Sequence, residues 1–252
     1  MQQVLSLTLA FACTALGPVL PVGAEVIAFS SKDTYVDRDA PDTAFGADPL
    51  LRVRQANDFF VSFVSFGLGT LSADIGSADL ELFKQSGRGD RSPTVFGITD
   101  ESFDSWSEAS LTWNSLGLGP TDTGAALPIT ETALGTLFTS GSRIDGQTSV
   151  ILNAADGSNN IQSPIDQAAL VAFLNSDTNG IVTFAIHHPN TNGNTYLYHS
   201  RENSSGNTPE LRFTVVPEPG SVGLLCMGGL VMLRWRRHHR SDHASSVRGE
   251  GR

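Results

Sequence analysis

Apolar residues recur at every second position through the middle of this chain, which is the period of a β-strand with one buried face. Leu80 and Leu82 alternate with Asp79 and Glu81. Leu211, Phe213 and Val215 alternate with Arg212 and Thr214, and Val182, Phe184 and Ile186 stand opposite Thr183 and His187. Tyr196-Leu197-Tyr198, Val150-Ile151-Leu152 and the run from Thr94 to Ile98 add short strands, and Phe59 to Phe66 is apolar on both faces, as a central strand would be. Clusters of Gly, Asn, Asp and Ser, such as Asp156 to Asn160 and Asn190 to Asn194, separate these runs with residues that favour turns. One segment reads as a helix. Ser163 is its predicted N-cap, Pro164 its first residue and Asp166 the acid three after the cap. Ile165, Ala169, Leu170, Phe173 and Leu174 share one face, and Asn175 to Gly180 ends it. Many short strands with one short helix predict an all-β fold, an antiparallel β-sandwich of jelly-roll type.

Charge narrows the function classes. Residues 25–216 carry 23 acidic and 10 basic side chains, a net −13. That balance excludes nucleic acid as a partner, because phosphates need a basic footprint. Arg52, Arg54, Arg88 and Arg91 are the residues able to form a local basic patch. The two cysteines, Cys13 and Cys226, both lie near the ends, so the middle has neither a disulfide framework nor a thiol nucleophile. No G-x-S-x-G elbow is present. The middle must be held by packing, hydrogen bonds and any bound cations.

The ends read as targeting segments. Residues 1–24 form an apolar stretch closed by Val22-Gly23-Ala24, the small residues that signal peptidase cuts after. Residues 25–216 show no repeat and no linker and read as one domain. Pro217-Glu218-Pro219 is followed by the apolar run Val222 to Leu233, then by Arg234, Arg236 and Arg237. At 12 residues the run is short of the ~20 that span a bilayer, and the basic cluster would stay on the cytoplasmic side. Residues 217–252 resemble the PEP-CTERM sorting signal: Pro-Glu-Pro, a short transmembrane helix and an Arg-rich tail. The resemblance implies a transient inner-membrane anchor, an exosortase-type sorting enzyme as partner, and a secreted or cell-surface protein of the extracellular matrix.

Three sets of side chains are candidates for chemistry. Trp106, Trp113, Tyr196 and Tyr198 join an aromatic face to a polar tip, which suits stacking on a sugar ring or an interior position with one hydrogen bond. Tyr196 and Tyr198 share a strand face, so their rings stand ~6.5 Å apart, a spacing for adjacent sugars or for packing on an opposite sheet. Arg201 and Glu202 just beyond could bind hydroxyls or each other. Asp33, Asp37, Asp39 and Asp42 crowd one stretch, read as a loop that could hold calcium or simply be solvated. His187 and His188 are adjacent, point to opposite faces of a strand and suit strand packing better than metal binding.

Four motifs carry a family resemblance. Asp33-Thr34-Tyr35-Val36 with Pro41 to Gly46 and Leu51-Arg52-Val53 is similar to the opening of DNRLRE-type domains. Ser77 to Leu82 is similar to their second signature. Trp106-Ser107-Glu108-Ala109-Ser110-Leu111-Thr112-Trp113-Asn114 resembles their central motif most closely. Tyr198 to Glu202 followed by Pro209-Glu210-Leu211 resembles their closing strands. Such domains overlap with carbohydrate-binding module family 96. The resemblance implies a β-sandwich without catalysis and a polysaccharide ligand. A structural surface protein without a ligand site is the second reading, and a polysaccharide-degrading enzyme a weaker third.

Overall fold

The computed structural model describes residue 23 and residues 25–56, 58–71, 74–87, 93–136, 148–152, 161–163, 167–188 and 192–216. The signal-peptide segment apart from Gly23, the sorting-signal residues Pro217, Glu218, Pro219, Arg234, Arg236 and Arg237, the arginines Arg88 and Arg91, and the predicted helix start at 164–166 lie outside the described residues.

The strands are β1 (Glu25–Asp37), β2 (Leu50–Ala56), β3 (Asp58–Gly67), β4 (Ile75–Gly87), β5 (Thr94–Ile98), β6 (Glu131–Thr136), β7 (Thr148–Leu152), β8 (Ile161–Ser163), β9 (Ile181–His187), β10 (Asn192–His199) and β11 (Glu210–Val215). Among the described residues one α-helix, α1 (Gln167–Ser176), lies between β8 and β9, and a 3-10 turn spans Glu101–Ser105. Pairing is antiparallel throughout except for β7 with β8, which run parallel.

β1 ties the two layers together. Its residues Glu25 to Phe29 pair with β11, a register shift follows between Ser30 and Lys32, and the rest pairs with β3. The shift bends and twists the strand, so one strand serves both sheets. One layer runs β1–β11–β4–β10–β2 and the other β1–β3–β9–β5–β6, and β2 also pairs with β3, so the two layers are joined a second time at Arg54 to Asp58. The expected antiparallel sandwich with one short helix is therefore what forms.

The period-two pattern accounts for the interior. Leu51 and Val53, Leu80 and Leu82, Tyr196 and Tyr198, and Leu211 and Phe213 point inward from the first layer. Val64, Phe66, Val95, Val182, Phe184 and Ile186 meet them from the second. Leu170, Phe173 and Leu174 of α1 join this same core. Gly97 lets the helix approach β5, since a Cβ there would stand 2.7 Å from the Phe173 ring. Ser163 ends β8, and the helix is described from Gln167.

A second core lies on the outer face of the second layer. Val61 and Phe63 of β3, with Ala185 of β9, are covered by Trp106, Leu111, Trp113, Leu116, Leu118 and Leu127 from the long segment between β5 and β6. This cover is why Phe59 to Phe66 is apolar on both faces.

Candidate functional site

The segment following β5 is fastened to the sheet by polar contacts. Asp100 caps the 3-10 turn by accepting from Ser102 N at 3.1 Å. Asp104 is buried and accepts from Thr183 Oγ1 at 2.6 Å and from Asn179 Nδ2 at 2.9 Å. Trp106 Nε1 donates to Ser65 Oγ at 3.0 Å, and Trp113 Nε1 donates to the Gly119 carbonyl at 3.0 Å. Lys32 reaches across from β1, donates to the Asp104 and Trp106 carbonyls, and stands 4.9 Å from the Trp106 ring centroid. Burial pulls the Lys32 ammonium below its ordinary pKa, and the charges of Asp104 and Glu108 oppose that pull.

Beside this anchor, β1, the segment after the 3-10 turn and the turn after β10 converge. Glu108 Oε1 accepts from the Asp33 backbone N–H at 2.7 Å. The Arg201 guanidinium donates to Glu108 Oε2 at 2.9 Å, to Glu202 Oε1 at 3.0 Å and to the Ser31 carbonyl at 2.7 Å. Asp33 Oδ2 accepts from Arg201 N at 2.8 Å and from Ser30 Oγ at 3.1 Å. Burial pushes the Asp33 carboxyl up to about 7, against the pull of the Arg201 N–H.

A groove of about 530 Å³ opens between this convergence and the turn before β2. Lys32, Ala44, Gly46, Ala47 and residues Trp106 to Ala109 line it. Gly46 is required there, because a Cβ would land on the Glu108 side chain and within 2.8 Å of its carbonyl. The volume is that of a small-ligand cleft.

Residues 25–133 match carbohydrate-binding module family 96. No curated protein matches the chain. The family 96 match runs from β1 into β6. It takes in Asp33, Trp106 and Glu108 and the whole groove, while Arg201 and Glu202 lie beyond it.

Several sequence-predicted residues sit elsewhere than expected. Tyr196 is 0% and Tyr198 1% exposed, so the stacking platform is overturned: their shared face packs against the opposite sheet, as the alternative reading had it. Burial raises the Tyr198 hydroxyl pKa well above its usual value. Trp113 is 0% exposed and belongs to the outer core, so it offers no face to a sugar. Trp106 is also buried, but it is among the residues that line the groove. Arg201 is exposed, and its guanidinium is occupied by Glu108, Glu202 and Ser31.

The predicted aspartate set does not converge either. Asp33 and Asp37 lie within β1, not in a loop. Asp37 Oδ1 accepts from Asp39 N at 2.9 Å, Asp39 pairs with Arg38, and Asp42 accepts from Asn114 Nδ2 at 2.8 Å. Asp33 instead meets Glu108 and Glu202, 75 and 169 positions away, and no local spacing signals that meeting. His187 and His188 are buried, with His187 stacked on Phe96 and bonded to Glu131 at 3.1 Å. Arg52 and Arg54 are paired with Asp48 and Asp58.

Proposed function

We propose that this chain is a non-catalytic, secreted or surface-sorted protein whose sandwich binds carbohydrate in the cell envelope or extracellular matrix. The family 96 match over residues 25–133 carries the reading. The groove beside Trp106 is the binding site, with Lys32, Ser107 and Glu108 among the residues that line it. Interior placement of Tyr196, Tyr198 and Trp113 favours the second reading, a structural surface protein without a ligand site.

A glycan array separates the two. Binding is expected to a neutral glycan, or to an acidic one only through calcium, since the −13 of residues 25–216 repels a polyanion at long range. Tight binding to alginate in chelator at low salt would contradict this. Ala109 is exposed in the groove, so Ala109→Trp should abolish binding without lowering the melting temperature. Retained binding would remove the sugar from the groove, and an array without a hit would favour the structural reading.

Sorting is read by mass. The secreted form is expected to begin after Ala24 and to end near Pro217 to Pro219, through signal peptidase and an exosortase-type enzyme. A mature extracellular protein that still carries Arg234 to Arg252 would refute the sorting reading.

A further inference from the structure

Asp33, Glu108 and Glu202 are brought together from three distant parts of the chain, with one carboxylate oxygen of each within 4.8 Å of the others. Asp33 is 1% exposed. Its Oδ2 is taken by Ser30 and Arg201, but Oδ1 is buried and has no hydrogen-bond partner among the described residues. Glu202 Oε2 is likewise buried and unpartnered. A carboxylate oxygen removed from water without a partner is costly, and both of these residues belong to the one cluster.

The charge count agrees. With all three carboxyl groups ionised, the single Arg201 guanidinium facing them leaves two negative charges. Asp104 and Lys32, alongside, cancel each other and leave the same two. Arg201 occupies Glu108 Oε2 and Glu202 Oε1, so it cannot also reach Asp33 Oδ1 and Glu202 Oε2 without giving up those bonds. The set contains only hard oxygen donors and no His or Cys. Such a set selects calcium or magnesium over zinc or copper. Irregular donors from three chain segments suit the flexible coordination of calcium better than the strict octahedron of magnesium.

We infer that Asp33, Glu108 and Glu202 bind one calcium ion, which locks β1, the Trp106 segment and the turn after β10 together. Glu108 also lines the groove, so the ion sits directly behind its wall. The inference goes beyond the carbohydrate reading, and its test uses no sugar.

Full-length protein is stripped with chelator and titrated with calcium chloride by calorimetry, with melting curves recorded in parallel. One calcium per chain is expected, with a melting temperature raised by about 5–10 °C at calcium ~100-fold above its Kd. Terbium should show emission sensitised by Trp106, two positions from Glu108. Asp33→Asn and Glu202→Gln should lose the calcium shift. Glu202 is only partly buried, so that variant remains folded even if Asp33→Asn does not. Asp42→Asn should keep the full shift. The inference is overturned by wild-type protein that binds no calcium, by an equal shift with magnesium, or by Glu202→Gln binding calcium as tightly as wild type.

Discussion

Replacing Trp113 by alanine lowers stability by about 3–5 kcal/mol, the cost of removing a large aromatic side chain from a packed interior. Trp113 is fully buried on the outer face of β3 and β9, within a cluster that includes Val61, Phe63 and Ala185. Its indole N–H is spent on the Gly119 carbonyl at 3.0 Å, so the substitution also removes one of the two donors to that carbonyl and leaves Asp122 N at 3.2 Å. The packing around the ring is close. Gly124 sits against it with φ +62, and a Cβ there would stand 2.7 Å from Val61 Cγ2 and 3.3 Å from the Trp113 ring. That space cannot collapse around an alanine without moving the segment itself. Thermal melts should show a drop of roughly 6–20 °C for a domain of this size, and limited proteolysis should cut first within 99–130. Thr121→Ala, an exposed position of the same segment, serves as control. A Trp113→Ala protein that melts within a degree or two of wild type would mean that the segment does not pack on the sheet.

The contrast between the strands and the site shows what one sequence makes legible. Alternation at Leu80 and Leu82, at Leu211 and Phe213, and at Val182 to Ile186 places these residues in the sheet interior because a strand has only two faces. β6 and β8 carry no such signal: Glu131 to Thr136 reads Glu-Thr-Ala-Leu-Gly-Thr and Ile161 to Ser163 is three residues long. The cation cluster is illegible for a different reason. Asp33 bonds through its backbone N–H to Glu108 and through its carboxylate to Arg201, contacts across 75 and 168 positions. Only the folded sheet sets those distances, whereas the sequence groups Asp33 with its near neighbours Asp37, Asp39 and Asp42. Both glutamates stand inside motifs that carry the family resemblance, and that was the one available pointer. Which face an aromatic pair presents is also undetermined by period alone. Tyr196 and Tyr198 share a face whether it points to solvent or to the other sheet, and Lys84, 5.1 Å from the Tyr196 ring, is itself nearly buried.

Tyr198→Ala should therefore act on the fold and not on a ligand. Tyr198 is 1% exposed in the inter-sheet core, on the face it shares with Tyr196, with Leu51 and Val53 of β2 and Leu80 and Leu82 of β4 in the same core. β10 is paired on both sides, with β2 through Leu51 and with β4 through Lys84, so the layer cannot close over the lost ring by shifting one strand. A cavity that stays open costs about 3–5 kcal/mol on top of no gain elsewhere, again a melting temperature lower by roughly 6–20 °C. Tyr198→Phe keeps the ring and should recover most of that loss. Whatever fraction of Tyr198→Ala remains folded at low temperature should bind the array's glycans as wild type does, because the groove is lined by other residues. The combination of unchanged stability and lost glycan binding would reverse the assignment, returning the ring to a sugar-facing surface and taking it out of the core.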